Sequence, residues 1–118
     1  ISVWLALGDE NKNNGCLYVI PESHRLEIPH ERFNKDLFLK DDDVQNELLI
    51  KNAEAVELQK GDVLFFHSKL FHAAGRNNTS RTKLSVVFTF YESGNNPIIG
   101  TRSAKQSSIL INTLSKSD

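Results

Sequence analysis

The sequence predicts a mainly β domain, an antiparallel barrel or jelly roll with a short helix in an insertion. Three observations carry this: short runs of β-branched, aromatic and aliphatic residues, turn signals between those runs, and one long charged excursion from Ile20 to Ala55. An immunoglobulin-type sandwich is the structural alternative, but the chain has a single cysteine, Cys16, and too few strands for that arrangement.

Four segments have strand character: Ile1 to Leu7, Cys16 to Ile20, Ala55 to Phe66 and Lys83 to Tyr91. Gly8-Asp9 through Asn14-Gly15 reads as a polar turn, and Lys60-Gly61-Asp62 splits the third segment into two strands joined tightly. Within the excursion, Asp41-Asp42-Asp43 leads into Val44, Leu48 and Leu49, an acidic first turn followed by apolar spacing that predicts a short amphipathic helix. Gly94 to Pro97 breaks the pattern, and a Ser- and Lys-rich tail with one apolar patch, Ile109 to Leu114, follows.

Composition narrows the classes of function. With 39% hydrophobic and 25% charged residues among 118, the chain is an ordinary globular domain rather than a disordered or fibrous one. A formal net charge of -1 leaves no basic footprint for nucleic acid or an anionic membrane, so the expected partner is a small-molecule substrate, with no nucleic acid and no membrane. The lone cysteine favours a reducing compartment, and with no signal peptide or bilayer-length apolar run the expected location is cytoplasmic. The chain opens on strand-like residues without an initiator methionine. It therefore reads as one partial domain over 1–118, entered partway through, with 92–118 as its tail.

Alternation assigns faces. Along the first strand Ile1, Val3, Leu5 and Leu7 share one face, while Ser2, Trp4 and Ala6 share the other, where the indole offers a flat cavity wall or simply fills the interior. In the last strand Leu84, Val86, Phe88 and Phe90 share one parity, and Arg81, Lys83, Ser85, Val87 and Thr89 the other. If the second face looks inward, Arg81 is suited to grip a carboxylate through two parallel hydrogen bonds; if outward, it is a solvated surface. His67 and His72 flank Ser68 to Phe71, and imidazole is a common ligand of iron, zinc and copper, but spacing does not choose between them. The acidic run lacks the glycine and spaced oxygens of a calcium loop, and neither a phosphate loop nor a Gly-x-Ser-x-Gly elbow occurs.

Taken in order, Val3-Trp4-Leu5-Ala6-Leu7, Asn14-Gly15-Cys16-Leu17, Ile20-Pro21-Glu22-Ser23-His24-Arg25, Gly61 to His67 and Phe71-His72-Ala73-Ala74-Gly75-Arg76-Asn77 resemble the phytanoyl-CoA dioxygenase family from Ile1 to about Tyr91. Three positions depart from its pattern: Glu22 stands where glycine is usual, Gly8 where aspartate is common and Ala74 where serine is common.

The resemblance implies a double-stranded β-helix, a cupin-like jelly roll incomplete at its N-terminus, and an iron(II)- and 2-oxoglutarate-dependent dioxygenase that hydroxylates a small organic molecule. It assigns a metal-binding role to His72 rather than His67. It makes Arg81, Trp4 and Ser85 the residues that hold 2-oxoglutarate, with Lys83 a second choice for the cation. Because the family's His-x-Asp metal motif precedes the Trp-containing strand, the chain by itself is expected to be inactive, with no catalytic residue of its own. A halogenase on the same scaffold and a non-catalytic cupin-like module that binds a small acid are the alternatives. Sheet edges left unpaired are expected to bring two copies together as a homodimer.

Overall fold

The computed structural model describes residues 1–100 and 103–111. Six strands, β1 (Ser2–Ala6), β2 (Leu17–Val19), β3 (Glu54–Val56), β4 (Val63–Phe66), β5 (His72–Ala74) and β6 (Ser85–Thr89), and one helix, α1 (Val44–Ile50), make up its regular structure, with three one-turn 3-10 helices. The strands form two antiparallel three-stranded sheets, ordered β4-β1-β6 and β3-β2-β5. The fold is therefore mainly β with a short helix in the insertion, as the strand and turn signals predict. Four of the strands fall inside predicted segments, and β3 begins one residue before its segment. The exception is β5, whose His-Ala-Ala sequence has little intrinsic strand preference and is extended by pairing with β2.

Register fixes the faces of the first sheet. Trp4 lies opposite Leu64 on β4 and Val87 on β6, Ser2 opposite Phe66 and Thr89, and Ala6 opposite Ser85, so these side chains share one face. Val3, Leu5, Val63, Phe65, Val86 and Phe88 share the other. In the second sheet Leu17 lies opposite Val56 and Ala74, and Val19 opposite Glu54 and His72. The Phe66 and His72 rings meet edge to face with centroids 4.9 Å apart, so the Trp4 face of one sheet looks toward the Leu17 and His72 face of the other. Ser2, Ala6, Leu17 and Phe66, all on these two faces, are buried, and the core also takes in Cys16, Ile20 and, from the opposite face of the first sheet, Val3.

The two sheets are stitched by loops. Gly15 has φ of +83°, and a Cβ there would lie 2.5 Å from the Gly75 carbonyl oxygen, so the turn before β2 presses directly on the chain after β5. Gly75 N–H donates to the Cys16 carbonyl at 2.9 Å, and Asn78 N–H to that of Asn13 at 2.9 Å. Two stretches distant in sequence, Asn14-Gly15-Cys16-Leu17 and His72 to Asn77, are thus in backbone contact. Glu22 sits at φ of +58°, left-handed backbone that glycine occupies without strain, which accounts physically for a turn where glycine is the usual residue.

Helix α1 begins as predicted. The Asp43 side chain accepts from Asn46 N–H at 3.0 Å and caps its first turn. Its apolar residues are not its buried face, however: Val44 is 70% exposed, and Leu48 and Ile50 are also exposed. Asn46 is the buried residue instead, donating to the Arg32 and Lys40 carbonyls at 2.9 and 3.0 Å and accepting from Arg32 Nε at 2.9 Å. The insertion is held by a satisfied polar knot that hydrophobic spacing does not reveal. In the tail, Ile109 to Ile111 are exposed, and the rest of the expected patch lies outside the described residues.

Candidate functional site

The inward face of the first sheet carries a polar cluster around one carboxylate. Glu10, in the turn after β1, is 0% exposed in its side chain, and its ion-pair partner Lys83 is 14% exposed. Lys83 Nζ donates to Glu10 Oε2 at 3.2 Å, and Ser85 Oγ donates to Oε1 at 2.6 Å. The Trp4 indole Nε1–H is shared between the two oxygens at 3.1 Å each. Lys83 Nζ also lies 3.1 Å from Ser85 Oγ and 4.9 Å from the centroid of the Trp4 ring, a cation-π distance. A buried carboxylate is tolerated when an opposite charge and hydrogen-bond donors replace its water, and here an ammonium, a hydroxyl and an indole do so.

Each member is held by the fold. Trp4 and Ser85 face inward because β1 pairs β6 with Ala6 opposite Ser85, and Lys83 follows from the same alternation two residues earlier. Glu10 is clamped by its backbone: its N–H donates to the Leu58 carbonyl at 2.7 Å, and Leu58 N–H to the Glu10 carbonyl at 3.0 Å. Beside it, Asp9 Oδ1 accepts from Lys60 N–H at 2.9 Å.

Two of the sequence-derived candidates, Trp4 and Ser85, come together here, and Lys83 joins them. Arg81 does not: it is exposed in the segment before β6, its carbonyl accepts from Asn77 Nδ2 at 2.8 Å, and its guanidinium makes no hydrogen bond or ion pair among the described residues. His72 opens β5 on the facing sheet. It contacts Phe66, which shares the Trp4 face, but is not bonded to the Glu10 cluster. Glu10 is the member that sequence reasoning missed, because an acid in a polar turn reads as solvated. Its signal is indirect: an inward-facing Lys83 requires a buried counter-charge.

The two histidines differ in a way that spacing does not show. His72 Nδ1 lies 2.7 Å from the Leu70 carbonyl, which can only accept, so in the neutral ring Nδ1 carries the proton and Nε2 the lone pair. His67 Nδ1 accepts from Lys69 N–H at 3.0 Å, which puts the proton of the neutral ring on Nε2. His67 also stacks on His24 at 5.2 Å. Only His72 therefore presents a free Nε2 donor atom. Its position is set by Ser23, whose buried hydroxyl accepts from Phe71 N–H at 2.8 Å while Ile20 N–H donates to the Phe71 carbonyl at 2.9 Å.

Cys16, the residue before β2, is a free and fully buried cysteine. Burial pushes its thiol up from the ordinary range, and the carboxylates of Glu57 and Glu10 add to the effect, so it stays protonated and inert at neutral pH.

The polar cluster around Glu10 thus lies on the inward face of one antiparallel sheet, and His72 lies on the sheet opposite. The profile of the phytanoyl-CoA dioxygenase family matches residues 1–85, and the chain belongs to that family. It is 29% identical over 97 residues to the peroxisomal phytanoyl-CoA dioxygenase of Homo sapiens, covering 76% of this chain and 28% of that protein. It is 31% identical over 86 residues to phytanoyl-CoA dioxygenase 1 of Oryza sativa, covering 71% and 31%, and 27% identical over 91 residues to the phytanoyl-CoA dioxygenase of Arabidopsis thaliana, covering 77% and 32%. The chain thus spans about a third or less of the length of these curated relatives.

Proposed function

We propose that this chain forms the co-substrate side of an iron(II)- and 2-oxoglutarate-dependent dioxygenase that hydroxylates a small organic molecule, on a double-stranded β-helix. The observation that carries the reading is the Lys83-Ser85-Trp4 cradle: an ammonium, a hydroxyl and an indole N–H converge on one carboxylate within hydrogen-bond distance. Family membership and the two facing antiparallel sheets support it.

In this reading Lys83, with Ser85 and Trp4, takes the far carboxylate of 2-oxoglutarate, the task expected of Arg81, because Lys83 faces inward and Arg81 is exposed. His72 Nε2 is the metal donor that this chain contributes, and the Leu70 carbonyl and Ser23 orient it. A facial iron site needs three protein donors. Among the described residues no three His, Cys, Asp or Glu side chains gather to hold a metal, so these residues do not fit an iron centre by themselves. Iron(II) and 2-oxoglutarate, when bound, would activate dioxygen as the oxidant; this chain's residues would orient the acid, screen it from water and fix the His72 tautomer.

The test is succinate and carbon dioxide formation from 2-oxoglutarate by the whole protein with iron(II) and dioxygen. His72→Ala is expected to abolish it and His67→Ala to retain it. Lys83→Met is expected to raise the 2-oxoglutarate requirement about 30-fold or more, the loss of a buried charge-assisted contact, while Arg81→Ala leaves it within about twofold, as an exposed charge should. Succinate formation that survives His72→Ala, or that depends on Arg81 and not on Lys83, overturns the assignment.

A further inference from the structure

The cradle that would hold an incoming carboxylate already holds one, and it belongs to the chain. Glu10 occupies all three donors: Lys83 on one oxygen, Ser85 on the other and Trp4 across both. No exposed edge of this carboxylate remains. The residue is pinned by its two backbone bonds to Leu58, so its side chain is presented into the cradle by the fold rather than by chance.

We propose that Glu10 is an internal plug, a carboxylate that closes the Lys83-Ser85-Trp4 cradle against small acids until it is displaced or removed. The proposal rests on the reading of that cradle as a carboxylate site. Its physical basis is competition for one set of donors. A ligand that binds only the open form has its apparent affinity lowered by the open fraction, so a plug seated nine-tenths of the time weakens binding about tenfold. Removing the Glu10 side chain leaves an ammonium, a hydroxyl and an indole N–H facing a cavity of carboxylate size, with a charge that needs a partner. A small free carboxylate is the species that restores it. Formate and acetate match its size, and 2-oxoglutarate and succinate carry the same group on a longer body.

Trp4 is the chain's one tryptophan and donates to the plug, so its emission reads the cradle directly. The experiment compares the chain with its Glu10→Ala variant, without metal, titrating sodium acetate, succinate and 2-oxoglutarate against sodium chloride at equal ionic strength. Trp4 emission and melting temperature are followed. In Glu10→Ala, acetate should restore the parent emission and raise the melting temperature, saturating at a concentration at least about tenfold lower than any response of the parent. Glu10→Ala/Lys83→Met, which removes both charges, should fold and show no acetate response beyond that of chloride. If Glu10→Ala does not fold alone, refolding in acetate is the same test: recovery in acetate and not in chloride supports the plug. Equal response of parent and Glu10→Ala to acetate, or no response or recovery of Glu10→Ala beyond chloride, overturns it. Rescue by acetate but not by 2-oxoglutarate upholds the plug and removes the co-substrate reading of the cradle.

Discussion

At the scale of single residues, the chain places a buried thiol beside two acids. Cys16 has its folded-state pKa raised, first by burial and then by Glu57 and Glu10, while Lys83 and its own backbone hydrogen bond oppose the shift. A raised acid holds its proton longer in the folded than in the unfolded chain, so between the two pKa values the folded state binds more protons. The stability contributed by the neutral thiol is therefore complete below the ordinary thiol range and is lost as pH rises from there through the raised folded-state value. Denaturant melts at increasing alkaline pH should show the parent losing stability more steeply than Cys16→Ala, which lacks the titrating group. Native Cys16 should resist iodoacetamide at neutral pH and label only on unfolding. Parallel pH profiles for the two proteins would remove this account.

At the scale of elements, what positions His72 is a hydroxyl that lies forty-eight residues before its neighbour Phe71 in the chain. Ser23 sits in a one-turn helix (Ser23–Arg25) and accepts the Phe71 N–H that precedes β5. Ser23→Ala leaves that amide without its partner, which costs about 1–3 kcal/mol, and loosens the strand that carries His72. Chemical denaturation should give that loss, and hydrogen exchange should speed at Phe71 and His72 before it speeds in β1. Unchanged exchange at Phe71 would show that the hydroxyl is not what holds β5.

This dependence also explains how far the elements were legible in the sequence. Alternation in Ile1 to Leu7 and Lys83 to Tyr91 was enough to predict β1, β6 and the shared face of Trp4 and Ser85, because strand faces follow from a period of two. Helix α1 was legible at its start, where an acidic cap is a local signal, and not in its packing, where Asn46 rather than the apolar residues turns inward. Strand β5 was not legible, since His72-Ala73-Ala74 is extended only by its partner. The centre of the candidate site was half legible. Lys83 and Ser85 lie on a strand parity, but Glu10 lies in a turn, where no periodicity says which side chains go in.

At the scale of the molecule, the Trp4 face of the first sheet meets the second sheet at Phe66 and His72, while on the other face Val3 is buried but Val63, Phe65 and Phe88 lie open to water, with Phe65 68% exposed. The outer strands β4 and β6 flank that face with an unpaired edge each among the described residues. Bare apolar surface beside unpaired backbone favours a second copy of the chain. Sedimentation should therefore show concentration-dependent self-association, and Phe65→Lys should weaken it without lowering the melting temperature. A monomer at all concentrations would sink this expectation.

The bonds around Glu10 have a further consequence, in time rather than in space. Lys83 and Ser85 reach Glu10 across 73 and 75 positions of sequence, so the cluster cannot form until almost the whole chain has turned back on itself. Each doubling of such a loop adds only about 0.6 kcal/mol to its closure, yet contacts of this span are made late because nothing rewards them until both ends arrive. Helix α1 can come and go while Trp4 is still wet. The burial of that indole against Glu10 should therefore be among the last events of folding, and stopped-flow Trp4 emission that changed before the rest of the chain gained structure would refute this order.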